Sequence, residues 1–410
     1  MFDESNIVVG LEIGTSKICV VVGEQNIDGA PNIIGLGQSP SNGVRKGEIC
    51  DQEKVEHELR TAIAEAEQMA DVEIRRVYLG VTGGHIRGFN NRGKHPVVSA
   101  DREISADDVQ DVIKNAKAIN LPAENAVVHA VRQHFFVDGH AGVTNPVGML
   151  GARLEVDMHV IHGHANRLQN AIRLVKGMQL QVDDVVFNGL ASSLAVLNSE
   201  QKEIGALVID LGGGTTEYVV HLDGVIRHSG VLAVGGDHLS NDLGHGLKLP
   251  LSRAEKLKRE HGNAFVLDES KGQTLSLLND FGLAVKTVNL EQLQRIMSLR
   301  LEETFEIIAH ELEQAGFTDY LRAGVILTGG TSRVPGIEKL AERIFQMNVT
   351  GGHADNVGGL TAALDQPEFA TAIGLVKYGA LKKRRPVPPT NFTDGIKNVK
   401  NMFGRLLQRS

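Results

Sequence analysis

The stretch LVIDLGGGTTEYVV, Leu207 to Val220, decides how this chain is read. An apolar run reaches Asp210, meets three glycines and two threonines, and turns apolar again. A dinucleotide-binding fingerprint places a helix after its glycines. Here the bend is followed by EYVVHLDG, which alternates and ends on an Asp-Gly turn, so the element after it is a strand. A Walker loop needs a Lys-Ser or Lys-Thr pair after its last glycine, and none follows. What remains is a β-hairpin with a tip almost free of side chains. Successive backbone N–H groups at such a tip form a concavity for anions, and Thr215 and Thr216 add hydroxyl donors, so phosphate is the expected guest.

The device recurs. GLEIGTSKICVVV, residues 10 to 22, carries Glu12 two positions before a Gly-Thr-Ser tip, as Asp210 stands two positions before its own glycines. The repetition predicts two related half-domains that face one another and clamp the phosphates of one nucleotide. A third element, AGVILTGGTSRVPGI at 323 to 337, runs strand, GGTS, then Pro335 near the start of a helix. Bare backbone in that order suits contact with a nucleoside.

At 410 residues, 42% hydrophobic and 22% charged, the chain is too long for one compact core, and several domains are expected. The N-terminus MFDESNIVVG is acidic within four residues, which predicts neither a secretory signal nor a transit peptide. No apolar run approaches the roughly 18 residues of a membrane span. Cys19 and Cys50 form no metal-like cluster and read as reduced thiols of a cytosolic protein. His162 and His164 share a face of a strand, but no cysteine or carboxylate cluster accompanies them, so a surface or core role is expected. The net charge of −8 is unevenly spread: from Lys382 onward eight basic residues face one acid, giving a tail of +7 and a body of −15.

Patterning fills in an α/β texture. Residues 7 to 23 read as two strands about the first tip, and 53 to 69 as a helix. Ser105 with Asp108 opens a second helix to about residue 119 in capping-box style. Residues 127 to 137 and 152 to 162 read as strands, 167 to 178 as a helix, and 290 to 315 as a long amphipathic helix closed by Gly316.

The three glycine-rich elements, in this order and spacing, resemble the phosphate-1, phosphate-2 and adenosine motifs of the actin, Hsp70 and sugar-kinase superfamily. GLEIGTSK at 10 to 17 and NPVGMLGARLEVDMHVI at 145 to 161 narrow the likeness to the FtsA family of bacterial cell-division actins, from Ile7 to Ser410. The resemblance implies a two-lobed actin-like ATPase fold of duplicated RNase H-like domains, with a family-specific small subdomain and a C-terminal amphipathic helix. It divides the chain into a first lobe (1–84 and 164–200) interrupted by an inserted subdomain (85–163), and a second lobe (201–230 and 304–382) carrying a small subdomain (231–303). A linker (383–395) and the terminal helix (396–410) follow.

Residue by residue, the resemblance implies that Gly14, Thr15, Ser16 and Lys17 form the first phosphate loop, and Gly212, Gly213, Gly214 and Thr215 the second. Glu255 and Lys258 match an E-x-x-K on a helix, where this spacing brings both side chains to one face for ribose and base. Gly329, Gly330, Thr331 and Ser332 match the adenosine loop. The cofactors implied are ATP and Mg²⁺, the ion positioned through water by Asp210 and by Glu12, which stands where many members carry Asp. Arg300 and Glu303, one turn apart, match contact positions for the FtsZ tail; as a plain surface ion pair they contribute under about 1 kcal/mol. No catalytic residue is assigned. Asn188 stands where related proteins carry an acid, so tight ATP binding with slow hydrolysis is expected.

The tail KKRRPVPPTNFTDG, 382 to 395, reads as an extended, solvated linker. After it Ile396, Val399, Met402, Phe403, Leu406 and Leu407 make one apolar stripe, with Lys397, Lys400, Arg405 and Arg409 off it. A short basic amphipathic helix on a tether is the pattern of an interfacial anchor for an anionic lipid membrane. One such helix binds marginally, so stable attachment needs many copies, which polymerisation supplies. The family places its members on the cytoplasmic face of the inner membrane at the division site, linking FtsZ to it and meeting other division proteins through the inserted subdomain. A small-molecule kinase using the same cleft is the alternative, but no second-substrate motif is evident. The basic cluster lacks interleaved aromatics and the body is acidic, which argues against nucleic acid.

Overall fold

The computed structural model of this protein describes residues 6–26, 30–278, 284–359 and 364–384. Each motif hairpin seeds a five-stranded sheet. In the first, strands Ile7–Ile13, Lys17–Gln25 and Pro31–Pro40 form an antiparallel meander, and Arg76–Val81 and Gln181–Phe187 add in parallel beyond Ile7–Ile13. In the second, Ala206–Leu211, Thr216–Leu222 and Val225–Leu232 form the meander, and Val325–Thr328 and Val349–Gly351 add in parallel. Strand order, direction and register agree between the two: Glu12 pairs Cys19 and Gly80, and Asp210 pairs Glu217 and Thr328. The central strands are near-continuous apolar runs because helices cover both faces, leaving Leu11, Val20, Leu207 and Ile209 fully buried.

Between the fourth and fifth strands of the first sheet the chain builds a separate unit. Strands Arg87–Pro96, Arg153–His164, Asn125–Val137 and His140–Val143 form an antiparallel sheet in that order. Helix Ala106–Lys117 packs on it, started by the expected Ser105–Asp108 capping box. Val112, Ala116, Phe135, Leu154 and Met158 form its own core. This unit also touches the second lobe. His159 Nε2 lies 2.7 Å from Ser229 Oγ, Asn90 Nδ2 donates to the Arg227 carbonyl at 2.9 Å, and Gln133 Nε2 donates to that of Ile226 at 2.5 Å.

Two helices join the lobes. Asn188–Val196 leads out of the first sheet, and Ala370–Arg384 returns from the second lobe to pack on it and on strand Ile7–Ile13. The helices approach closely: a Cβ added at Gly374 would stand 1.8 Å from the Ala191 carbonyl oxygen.

The helices expected from periodicity are present as Gln52–Ala70, Ala165–Gly177 and Leu290–Ala315, the last ending in left-handed Gly316. Two expectations change. The linker does not begin at 382, because the return helix runs through the basic residues to Arg384; Lys382 lies 3.3 Å from Asp184 and 5.3 Å from the Tyr378 ring, and Lys383 donates to the Ile7 carbonyl at 2.8 Å. A boundary at 303 falls inside the unbroken helix Leu290–Ala315, which serves both core and small subdomain. The stripe from Ile396 to Leu407 lies outside the described residues.

Candidate functional site

The two hairpin tips close with the same bond: Gly14 N–H donates to the Lys17 carbonyl at 3.0 Å, and Gly212 N–H to that of Thr215 at 2.9 Å. Both lie at the carboxyl ends of the first strands of their sheets, where open α/β sheets bind ligands. The tips face each other. A Cβ at Gly214 would stand 2.4 Å from Thr15 Oγ1, and one at Gly213 would stand 3.1 Å from the Ser16 Cβ, so only glycine permits this approach. Thr15 Oγ1 in turn accepts from the Gly47 N–H at 3.0 Å.

Behind the tips sits a buried group of acids. Lys17 Nζ donates to Glu12 Oε2 at 2.9 Å; burial works to lower the ammonium pKa, but the Glu12 charge and hydrogen bond together with Cys19 and Asp210 outweigh it, and the net shift is upward. Asp210 accepts from Thr371 Oγ1 at 2.9 Å, at the start of the return helix. Burial first, and then the Glu12 charge, raise its carboxyl above the ordinary range. Glu217, opposite Asp210 on the hairpin, is hydrogen-bonded to the Thr82 hydroxyl, and burial and the Asp210 charge raise its carboxyl too. Glu12 and Asp210 thus lie near one ammonium while Glu217 is held toward its protonated form, and the raised Asp210 carboxyl is the one a cation would relieve. Among the described residues no three such groups converge as direct ligands of a metal.

The nucleoside side is built on the second lobe. Gly329 adopts φ 84°, and its missing Cβ lets it lie against Asp210, where an added Cβ would be 2.4 Å from Oδ1. Gly330–Arg333 forms a short 3-10 turn, in which Thr331 Oγ1 donates to the Gly212 carbonyl at 2.9 Å and Ser332 Oγ to that of Gly329 at 2.7 Å. Helix Leu251–His261 brings Lys258 Nζ to 2.6 Å from Glu255 and 3.0 Å from the Gly236 carbonyl. Burial works to raise Glu255, but Lys258, Ser240 and Arg259 prevail and pull it down to about 2. The E-x-x-K pair is therefore braced and charged at the edge of the cleft.

Arg300 does more than pair with Glu303. Its Nε and Nη2 meet Asp242 at 2.6 and 3.2 Å, tying helix Leu290–Ala315 to helix Gly236–Leu247. Asn188, the first residue of its helix, is buried with its Oδ1 unpartnered.

Sequence reasoning missed Thr82, Glu217, Thr371 and Asp242, whose partners lie 58 to 161 residues away. One signal was present: Thr-Gly-Gly follows strand Arg76–Val81 in the first lobe as it closes strand Val325–Thr328 in the second.

Comparison with known proteins agrees with this architecture. Residues 207–374 match the model of "Cell division protein FtsA", and residues 83–162 that of the SHS2 domain inserted in FtsA. The FtsA proteins of Pseudomonas aeruginosa and Neisseria meningitidis are 36% and 38% identical, each over 92% of this chain and 90% and 91% of their own. Among solved structures, that of a PilM–PilN type IV pilus biogenesis complex superposes with a TM-score of 0.64 at 17% identity, covering 92% of this chain and 99% of that one. MreB5 of Spiroplasma citri bound to ADP gives 0.56 at 14%, covering 93% and 98%. The fold is the two-lobed actin-like one, and with duplicated hairpins, a separate inserted unit and relatives alike over nine-tenths of its length, the chain belongs to the FtsA family of cell-division proteins.

Proposed function

We propose that the chain binds ATP with Mg²⁺ between its lobes and acts as a filament-forming scaffold of division. The observation that carries this is the facing of Thr15 and Gly214, which sets the two bare tips on opposite sides of one cleft with the acids behind them. Lys17, Ser16 and the tip N–H groups take the phosphates, Glu255 and Lys258 the sugar and base, and Gly329 to Ser332 the nucleoside face. The ion supplies positive charge to phosphate oxygens, held through water by Asp210 and Glu12. An amide at Asn188 orients water but takes no proton at neutral pH, so turnover is slow.

In this reading ATP fixes the angle between the lobes and lets subunits align. The terminal helix holds the filament on the cytoplasmic face of the inner membrane at the division site. The face bearing Arg300 and Glu303 takes the FtsZ tail, and the 85–163 unit recruits later division proteins. Equilibrium dialysis tests the cleft: adenine nucleotide is retained by the full chain with magnesium, and no retention refutes it. Co-sedimentation with anionic vesicles tests the anchor: Phe403→Glu releases the protein, and unchanged binding removes that assignment.

A further inference from the structure

A short hairpin in the first lobe, outside every motif named so far, reaches the same tips. Val44–Arg45 and Glu48–Ile49 pair antiparallel, and the turn between them places both Lys46 (φ 51°) and Gly47 (φ 75°) in the left-handed region. Glycine adopts that conformation freely, whereas lysine enters it seldom and at a cost, and such residues persist where surrounding contacts over-determine them. Those contacts are the phosphate loops. Gly47 N–H is held by Thr15 Oγ1, and a Cβ on Gly214 would stand 2.8 and 2.9 Å from the Lys46 N and Cα. The other side of the turn is anchored too, since Cys50 and Asp51 N–H both donate to the Gly43 carbonyl, at 2.8 and 3.1 Å, before helix Gln52–Ala70 begins.

Three lysines of the described residues near the tips differ in their commitments. Lys17 is buried against Glu12, and Lys258 is engaged by Glu255 and the Gly236 carbonyl. Lys46 is exposed and makes no ion pair among the described residues. Its charge is felt across the cleft by His238, at the start of helix Gly236–Leu247 in the second lobe. A free ammonium on a rigid turn, touching both tips, has the chemistry of a contact for the far end of a polyphosphate.

We propose that Lys46 is the residue by which the first lobe recognises the terminal phosphate of a nucleoside triphosphate, making the closed cleft favour the triphosphate over the diphosphate. This rests on the cleft reading above. The ammonium meets charge that the diphosphate lacks, so its removal weakens triphosphate binding and leaves diphosphate binding in place. Because the turn also bridges Thr15 and Gly214, the same contact holds the tips together when that phosphate is present.

The test is isothermal titration of the full chain with ATP and with ADP, magnesium present, on the parent and on Lys46→Gln, Lys46→Arg and Lys46→Gly. Expected is a roughly tenfold loss of ATP affinity in Lys46→Gln, equivalent to about 1.4 kcal/mol, with ADP affinity unchanged. Lys46→Arg keeps the parent's preference. Lys46→Gly loses it while melting no lower than the parent, since glycine suits the left-handed turn. If Lys46→Gln and Lys46→Gly keep the parent's ratio of ATP to ADP affinity, or weaken both nucleotides equally, the inference is overturned while the cleft reading stands. A parent that retains neither nucleotide overturns both.

Discussion

Gly214→Ala tests the closeness of the tips most directly. Its backbone is outside the left-handed region, so alanine is allowed there and the effect is purely steric. The new methyl would stand 2.4 Å from Thr15 Oγ1 and 2.8 and 2.9 Å from the Lys46 N and Cα. Ordinary contacts between heavy atoms lie near 3.5–4.0 Å, so the shortfall is about 1 Å. None of the three neighbours can turn aside, since two are backbone and the Thr15 hydroxyl is held by Gly47. Overpacking of this kind costs about 1–3 kcal/mol, and if it falls on the closed form the ATP affinity drops by roughly 5- to 150-fold. Titration calorimetry with ATP and magnesium reads the drop. Gly177→Ala, where an added Cβ meets nothing within 4 Å, is the control and binds as the parent does. Gly214→Ala protein that binds ATP as tightly as the control refutes the idea that the tips must approach.

Glu217 titrates in the folded chain above its unfolded value, so the folded state holds the extra proton and stability falls as pH rises from the ordinary carboxylate range toward the raised one. Glu217→Gln, which cannot ionise, gains on the parent in urea melts as pH goes from 6 to 9; a constant gap refutes the assignment. His159 behaves oppositely: burial lowers it to about 3, so stability present above the unfolded pKa of 6.5 is lost as pH falls toward that value. His159→Gln therefore flattens the acid limb of the same melts, and an unaltered limb counts against the buried seam. Arg300→Glu abolishes binding of an FtsZ-tail peptide but also sets two carboxylates together at Asp242, at a cost of about 1 kcal/mol. Adding Asp242→Arg restores the helix pair without restoring the peptide; recovery of binding in the double variant makes Arg300 a structural residue only.

What the sequence revealed was local. The hairpins about Gly14 and Gly212, the Ser105–Asp108 cap and the stripe of Leu290–Ala315 each announce themselves within a dozen or so residues, through apolar period, turn chemistry or capping. Glu217 looked like any polar residue alternating on a strand, and its meaning came from Thr82, 135 residues earlier. A lysine before a glycine is ordinary in sequence; only the positive φ and the neighbouring tip set Lys46 apart. Arg300 was picked out by resemblance, yet its partner Asp242 sits on another helix. Composition alone puts Lys382 and Lys383 in a linker, whereas Asp184 and the Ile7 carbonyl hold them in the helix.

The way the inserted unit is fastened has a mechanical consequence. Its two chain crossings root it in the first lobe, while toward the second it offers polar clasps at Ser229, Arg227 and Ile226, with Ile226 and Val231 sharing one apolar cluster with Val128 and Ile161. A hydrogen bond of this kind contributes a net of about 0.5–1.5 kcal/mol, whereas leaving buried His159, Ser229 or Gln133 without its partner costs about 1–3 kcal/mol. Any rotation of one lobe against the other must slide or unfasten these clasps. On the proposed reading of the cleft, the unit is expected to act as a lever arm, turning a small change of lobe angle into displacement at its far end.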